Sequence, residues 1–172
     1  DDGAIAQLVR ILGESPAGAA RARELLARTC EPLRPEGRPL YAGVLSQAMP
    51  DTDLGAIFRY GDMLREYRGD SHTAAWIGAG LDATEIGLMS ELYWGLPMRS
   101  YSRTRAWTDA QFDAALERLK SRGWLDDHGF TPLGRAGRED IEVQTDVQML
   151  AVEAALGDDL DELCELPGQS PW

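Results

Sequence analysis

Apolar residues recur along most of this chain at spacings of three and four positions, which is the period of an amphipathic α-helix. The first such segment covers residues 4–13 and ends at Gly13. In the second, Ser15-Pro16 is expected to cap a helix that reaches Cys30. The same pattern predicts further helices over residues 40–49, 52–69, 70–80, 83–94, 108–123 and 131–156.

Glycine, proline and capping residues mark the ends and starts of these segments. Three prolines in residues 31–39 predict a loop. Gly69 followed by Asp70 predicts a break between two helices, with Asp70 or Ser71 as the cap of the second. Capping boxes are expected where an acceptor side chain precedes a Glu or Gln by three positions, as in the stretches 82–85 and 108–111.

Residues 124–131 are typical of a very short β-hairpin, because Trp-Leu and Phe-Thr pairs flank the turn Asp-Asp-His-Gly and Gly129 supplies the conformation that the turn needs. The resulting order is helix, helix, hairpin and long helix, which is that of a winged helix-turn-helix. We therefore predict a mainly helical (all-α) fold with a small β-hairpin wing. Three regions are expected: a helical N-terminal portion over 1–81, a winged-helix domain over 82–157 and an acidic tail over 158–172.

Two stretches carry a resemblance to known families. Arg-Gly-Trp-Leu at 122–125 and Phe-Thr-Pro-Leu-Gly at 130–134 are similar to the wing region of MarR-type regulators. The stretches LREYRGDSHTAAWIGAGLDATE and AWTDAQFDAALERLKSRGWLDDHGFTPLGRAGRE resemble an actinobacterial family of helix-turn-helix proteins over about residues 1–165. The resemblance implies an architecture, and it implies no reaction.

Charge is distributed unevenly along the 172 residues. The net charge is −12 overall, made up of −2 over residues 1–81, zero over 82–138 and −10 over 139–172. An acidic protein approaches nucleic acid against long-range repulsion unless a local basic patch overrides it. The order of the elements therefore favours a DNA-binding function, whereas the net charge does not.

Such a basic patch precedes the predicted recognition helix. Arg99, Arg103 and Arg105 fall within seven residues and are the candidates for contact with DNA phosphates. In the helix itself Gln111 is the candidate for a base contact, since the first half otherwise carries acidic residues and no cation. Two alternatives stay open for the arginines: an anionic ligand, or a solvated loop that pairs with the acidic tail.

A second polar cluster, at residues 65–76, is the candidate ligand site. Arg68, Asp70, His72 and Trp76 are expected to bind a small molecule, with His72 neutral in a first helical turn. If the helix were unbroken, Arg68, His72 and Trp76 would share one face. The alternative is a helix junction, in which Asp70 caps and His72 bonds to a carbonyl.

Other chemistry finds little support in the sequence. We assign no catalytic residue, metal ligand or cofactor, because no nucleophile triad, P-loop, dinucleotide fingerprint or zinc motif is present. Glu85 and Glu91 are interpreted as capping and solvated residues, and Trp94 to Met98 as a loop that lines a pocket between helices. Cys30 and Cys164 are expected to be free thiols.

These observations give two hypotheses. The first is a cytoplasmic, ligand-responsive, MarR-like transcriptional regulator, whose small molecule binds between the two halves of the chain. The second is a metabolite-binding or catalytic protein that uses the winged helix as a scaffold and does not bind DNA; whether the chain is an enzyme stays open. No apolar run is long enough for a membrane span. Winged-helix relatives often pair through terminal helices, which adds a homodimer to the expected partners.

Overall fold

The computed structural model describes residues 2–166 and confirms a mainly helical fold with one small antiparallel hairpin. The helices are joined by two short 3-10 segments, Ser102–Arg105 and Gly157–Asp159. The elements in chain order are α1 (Asp2–Leu12), α2 (Ala19–Cys30), α3 (Pro39–Leu45), α4 (Asp53–Gly78), α5 (Ala83–Tyr93), α6 (Asp109–Ser121), β1 (Leu125–Asp126), β2 (Gly129–Phe130), α7 (Pro132–Val147), α8 (Leu150–Leu156) and α9 (Leu160–Glu165).

Helix α4 corrects the expected break at Gly69 and Asp70, because it runs without interruption from Asp53 to Gly78. A glycine inside a helix costs about 1 kcal/mol relative to alanine, and burial of one face of a 26-residue helix outweighs that cost. The carboxylate of Asp70 does not cap its own helix. It is buried and accepts a hydrogen bond from the backbone of Tyr41 at 2.9 Å.

Other boundaries also differ from the sequence prediction, and the helix predicted over 40–49 ends at Leu45. Helix α2 begins at Ala19, after Gly18 in the left-handed conformation (φ 82°), so Ser15-Pro16 is not its cap. The predicted helix over 131–156 is two helices, α7 and α8, which are separated at Gln148 and Met149. The acidic tail is helical as far as Glu165, and residues 167–172 of that predicted region lie outside the described residues.

The chain packs as two compact units. The first comprises residues 1–71 and 147–172. Its apolar core is built around Tyr41, Met63 and Tyr67, with the rings of Tyr41 and Tyr67 edge to face at 5.2 Å. Arg38 stacks on the Tyr67 ring at 3.7 Å and donates to the side chains of Ser71 and Gln148, so this core is closed by a guanidinium held among neutral partners.

The second unit, residues 72–146, contains the winged helix. Both predicted capping boxes, Asp82 with Glu85 and Thr108 with Gln111, are present and open α5 and α6. The inward faces of these helices bury two apolar clusters. One is centred on Met89, Leu119 and Ile141, and the other on Leu88, Phe112 and Ala115.

The wing packs directly against the start of α7. Leu125 pairs with Phe130 and Asp126 with Gly129, whose φ of 118° explains the need for glycine in the turn. A Cβ built on Gly134 would lie 1.9 Å from the carbonyl oxygen of Trp124. The absence of a side chain at Gly134 therefore lets α7 approach the wing backbone.

The division into packing units, at 71/72 and 146/147, does not coincide with the predicted domain limits at 81/82 and 157/158, which stay a prediction. No helix among residues 2–166 combines the length and the apolar composition that a membrane span requires.

Candidate functional site

The turn between α5 and α6 is held from inside by a buried carboxylate. Glu91 is fully buried and accepts hydrogen bonds from the backbone N–H of Arg99 at 2.6 Å and of Ser102 at 2.7 Å. The Ser102 hydroxyl donates a third, at 2.8 Å. Interpreting Glu91 as a solvated residue was therefore wrong: its carboxylate fixes the backbone that carries the arginine patch. Glu85 is also buried, and its capping role is confirmed.

Two of the three candidate arginines pair with acids of the recognition helix α6. Arg99 Nη2 lies 2.5 Å from Asp113 Oδ1, and Arg103 Nη2 lies 3.0 Å from Asp109 Oδ1. Both guanidinium groups also lie within 6 Å of the ring centre of Phe112. The acidic residues that weakened the sequence argument for DNA therefore orient the cations that supported it. The acidic tail pairs instead with Arg21 and Arg28 of α2.

Arg105 and Gln111 complete the predicted DNA-contact set. Arg105 is exposed; its guanidinium lies 5.7 Å from the ring centre of Tyr101 and 3.5 Å from its hydroxyl oxygen. Gln111 is exposed, and its side-chain oxygen accepts from the backbone and the hydroxyl of Thr108. This leaves the amide nitrogen of Gln111 as the donor for an outside partner.

The basic residues in the second half of α6 are likewise engaged by neighbouring groups. Arg118 pairs with Asp82 and, at 3.2 Å, with Glu85. Lys120 lies 2.7 Å from Asp127 at the wing tip, which raises the pKa of the lysine and lowers that of the carboxyl. The Arg122 guanidinium donates to the carbonyl oxygens of Ala79 and Gly80. The predicted recognition helix is thus lined by ion pairs.

An exposed apolar strip lies beside the arginine patch. Trp94 is 68% exposed and Tyr101 is 54% exposed, with Leu96 and Met98 between them also exposed. The pocket expected to be lined by residues 94–98 stays a prediction. This strip lies on the same turn that Glu91 immobilises.

The four candidate ligand residues all belong to α4 but not to one packing unit. Arg68 and Asp70 are in the first unit, and His72 and Trp76 are in the second. On the continuous helix Arg68, His72 and Trp76 follow at steps of four, which places them along one side of α4. Asp70 does not project with them, since its carboxylate is buried against the N-terminus of α3.

His72 lies over a polar row on α7 within the second unit. Its Nδ1 is 3.2 Å from the hydroxyl oxygen of Thr145 and 3.9 Å from a carboxylate oxygen of Glu142. Arg138, which is fully buried, places Nη1 2.6 Å from the same carboxylate and stacks 4.5 Å from the Tyr93 ring. Arg138, Glu142 and Thr145 follow at helical spacing, so this row is a property of one face of α7.

Sequence reasoning missed the buried charged residues, Glu91 and Arg138, that organise these sites. A carboxylate within an apolar stretch, as Glu91 is between Leu88 and Leu92, is the signal that could have identified the first. Arg138 gave no such signal, because its segment is rich in charge. Among residues 2–166, no three His, Cys, Asp or Glu side chains are arranged to hold a metal ion.

Comparison with known proteins gives one match. The model of a family described as a helix-turn-helix family matches residues 1–170, nearly the whole chain. None of the curated proteins and none of the solved structures matches the chain significantly.

Proposed function

The chain belongs to this helix-turn-helix family, and from that premise we propose that it is a DNA-binding transcriptional regulator of the MarR-like, ligand-responsive kind. The family supports a DNA-binding role in general. The winged-helix order of α5, α6, the hairpin and α7 supports the finer assignment. Regulation of transcription implies a cytoplasmic location, and a homodimer would match the two-fold symmetry of most operators.

The observation that carries the proposal is the position of the arginine patch. Arg99, Arg103 and Arg105 lie on the rigid turn that leads into the N-terminus of α6, where a winged helix meets the phosphates flanking the major groove. Glu91 holds this turn through three hydrogen bonds, so its backbone is ordered before any DNA arrives. Gln111, whose amide nitrogen has no acceptor among residues 2–166, would supply a base contact from the first turn of the helix.

The ligand-responsive part of the proposal rests on α4. Arg68, His72 and Trp76 line one side of a helix that contributes to both packing units. A cation, an imidazole and an indole together suit a small molecule that carries an acidic group and an apolar ring. Such a ligand would regulate the protein if it bound one conformation of the chain more tightly than another.

A second candidate function is favoured by the ion pairs on the recognition helix. Asp109 and Asp113 bind Arg99 and Arg103, and Glu117 adds a further exposed carboxylate on α6. If these pairs persist next to DNA, the winged helix serves as a scaffold, and the protein binds or converts a metabolite beside Arg68, His72 and Trp76. Loss of ligand affinity or of product in His72→Ala, without any DNA binding by the wild type, would favour this alternative.

Fluorescence anisotropy with the DNA upstream of the protein's own gene tests the first proposal. We expect salt-sensitive binding, which Arg99→Gln, Arg103→Gln and Arg105→Gln together weaken at least tenfold. Removal of three phosphate contacts should lower the slope of log K against log salt by about three units. Arg10→Gln, on the exposed side of α1, is the matched control and should leave binding unchanged. Equal affinity of the triple variant and this control would contradict the role of the patch.

A further inference from the structure

A cleft in the second unit opens beside the recognition helix. Its volume is about 350 Å³, within the range of small-molecule sites. One wall is a stripe of α6 formed by Gln111, Ala114 and Arg118, and the opposite wall is the first turn of α5. The indole of Trp107 closes it where the arginine turn ends. The cleft shares no lining residue with α4, so it is distinct from the proposed site around His72.

Two side chains that line this cleft keep hydrogen-bond donors that have no acceptor among residues 2–166. The Gln111 amide nitrogen is unused within this part of the chain, because the capping box engages only the side-chain oxygen. Arg118 donates from Nε to Glu85 and from Nη2 to Asp82, which leaves Nη1 as a donor for a ligand. A ligand that fits must therefore bring acceptor atoms.

The charges around the cleft define the ligand further. Asp82 and Glu85 together outweigh Arg118 by one negative charge, so a free carboxylate or phosphate meets net repulsion. The surplus of donors disfavours a cation, which would bring more donors. The apolar surface of Trp107, Ala83 and Ala114 suits a flat ring system.

We propose that this cleft binds a neutral, planar aromatic molecule that carries a ring carbonyl. The ring lies against Trp107 and Ala114, and the carbonyl oxygen accepts from Gln111 or Arg118. Because the ligand covers the exposed side of Gln111, it excludes any base from that position. This last consequence, direct competition with DNA, rests on the proposed function, whereas the binding site does not.

Fluorine NMR of protein labelled with 5-fluorotryptophan tests the site without DNA. The chain has five tryptophans, and Trp107→Phe identifies the resonance of the cleft. Coumarin is the probe, and coumarin-3-carboxylate and protonated 4-aminoquinaldine are its anionic and cationic counterparts. We expect saturable, selective movement of the Trp107 resonance by coumarin at about 1 mM or below, and weaker effects of both charged compounds.

Ala114→Leu should fill the cleft and weaken the binding of coumarin at least tenfold. Leucine is a strong helix former, and unchanged resonances of the other tryptophans will show that the fold is intact. Ala154→Leu, at an exposed position of α8 in the first unit, makes the same change outside the cleft and should bind coumarin as the wild type does. Gln111→Glu keeps the capping box but removes the amide N–H donor, so it should also weaken the binding of coumarin.

Three results would overturn the site: no saturable shift of the Trp107 resonance, an equal shift in Ala114→Leu, or tighter binding of either charged compound. In a second arm, coumarin should weaken DNA binding by wild type and Ala154→Leu but not by Ala114→Leu. Unchanged DNA affinity at saturating coumarin would overturn the competition alone. Absence of DNA binding by the wild type would reject the proposed function and leave the NMR test standing.

Discussion

The carboxylate of Asp70, in the middle of α4, caps a different helix: it accepts a 2.9 Å hydrogen bond from the backbone N–H of Tyr41 in the first turn of α3. A second, longer hydrogen bond of 3.4 Å comes from the N–H of Leu40. Helix α3 has seven residues and no capping side chain of its own, since Arg38 at its N-cap makes no such bond. Asp70 therefore supplies the acceptor that the isolated α3 segment lacks.

This contact predicts a structural effect of mutating Asp70. Asp70→Ala should lower the free energy of unfolding by about 1–3 kcal/mol, because one buried and one part-buried backbone donor lose their acceptor. Asp70→Asn keeps one acceptor oxygen and should lower the free energy of unfolding by a smaller amount. Urea denaturation measures both, and Asp140→Ala, at an exposed position of α7, is the control. Unchanged stability of Asp70→Ala together with weaker ligand binding would support the ligand role expected from the sequence.

The same residue explains why the break in α4 was predicted and is absent. Gly69, Asp70 and Ser71 are local signals for a helix end, and sequence reasoning reads only local signals. The acceptor of Asp70 is used by Tyr41, 29 residues earlier, a relationship that no periodicity reveals. Helices with their own capping boxes, α5 and α6, were by contrast predicted correctly, because both partners lie three residues apart.

The cations of the candidate DNA site could be predicted from the sequence, but their pairing with carboxylates could not. Arg99, Arg103 and Arg105 stand out in the sequence because they cluster in seven residues. Asp109 and Asp113 pair with these arginines because of the path of the turn. The buried carboxylate of Glu91 sets that path. Burial of a charged residue is a tertiary property, and this is why the element order was easier to predict than the electrostatics.

Gly134 should be among the positions least tolerant of a side chain. Alanine there places Cβ 1.9 Å from the carbonyl oxygen of Trp124, so either α7 or the wing backbone must move. We expect Gly134→Ala to lose about 2–4 kcal/mol of unfolding free energy, as buried overpacking does. Thermal or urea unfolding measures the loss.

Gly61→Ala is the matched control for Gly134→Ala. Gly61 also lies inside a helix, but a Cβ there meets nothing within 4 Å. The substitution should stabilise the protein by up to about 1 kcal/mol through helix propensity. If both substitutions raised stability, the close approach of α7 to the wing would be wrong.

The acids of α6 should restrain DNA binding. Asp109→Asn and Asp113→Asn free Arg103 and Arg99 from their carboxylates and remove two negative charges from the face proposed to meet DNA. We expect the double variant to bind DNA about tenfold more tightly, with a steeper dependence on salt. Asp140→Asn, which makes one of these charge changes on α7, controls for the effect of net charge. Weaker binding by the double variant would mean that the carboxylates are needed to position the arginines.

The ion pairs that join α2 to the C-terminal helices should make stability depend on pH. Arg28 lies 2.6 Å from Asp159, and Arg21 lies 2.7 Å from Glu162. The hydrogen bond from each arginine lowers the pKa of its carboxyl partner below the ordinary value. A carboxyl with a lowered folded pKa stabilises the fold above its unfolded pKa of about 4, and this contribution is lost as pH falls through the folded value.

Asp159→Asn isolates that contribution. The difference in unfolding free energy between wild type and Asp159→Asn should be largest near neutral pH and should close on acidification below about pH 4. High salt should reduce it at neutral pH, because both side chains of the pair are partly exposed. Asp158→Asn, one residue earlier and exposed, should differ from wild type by an amount that does not follow this profile. A wild-type difference that stayed constant from neutral to acidic pH would mean that Asp159 acts through packing and not through its charge.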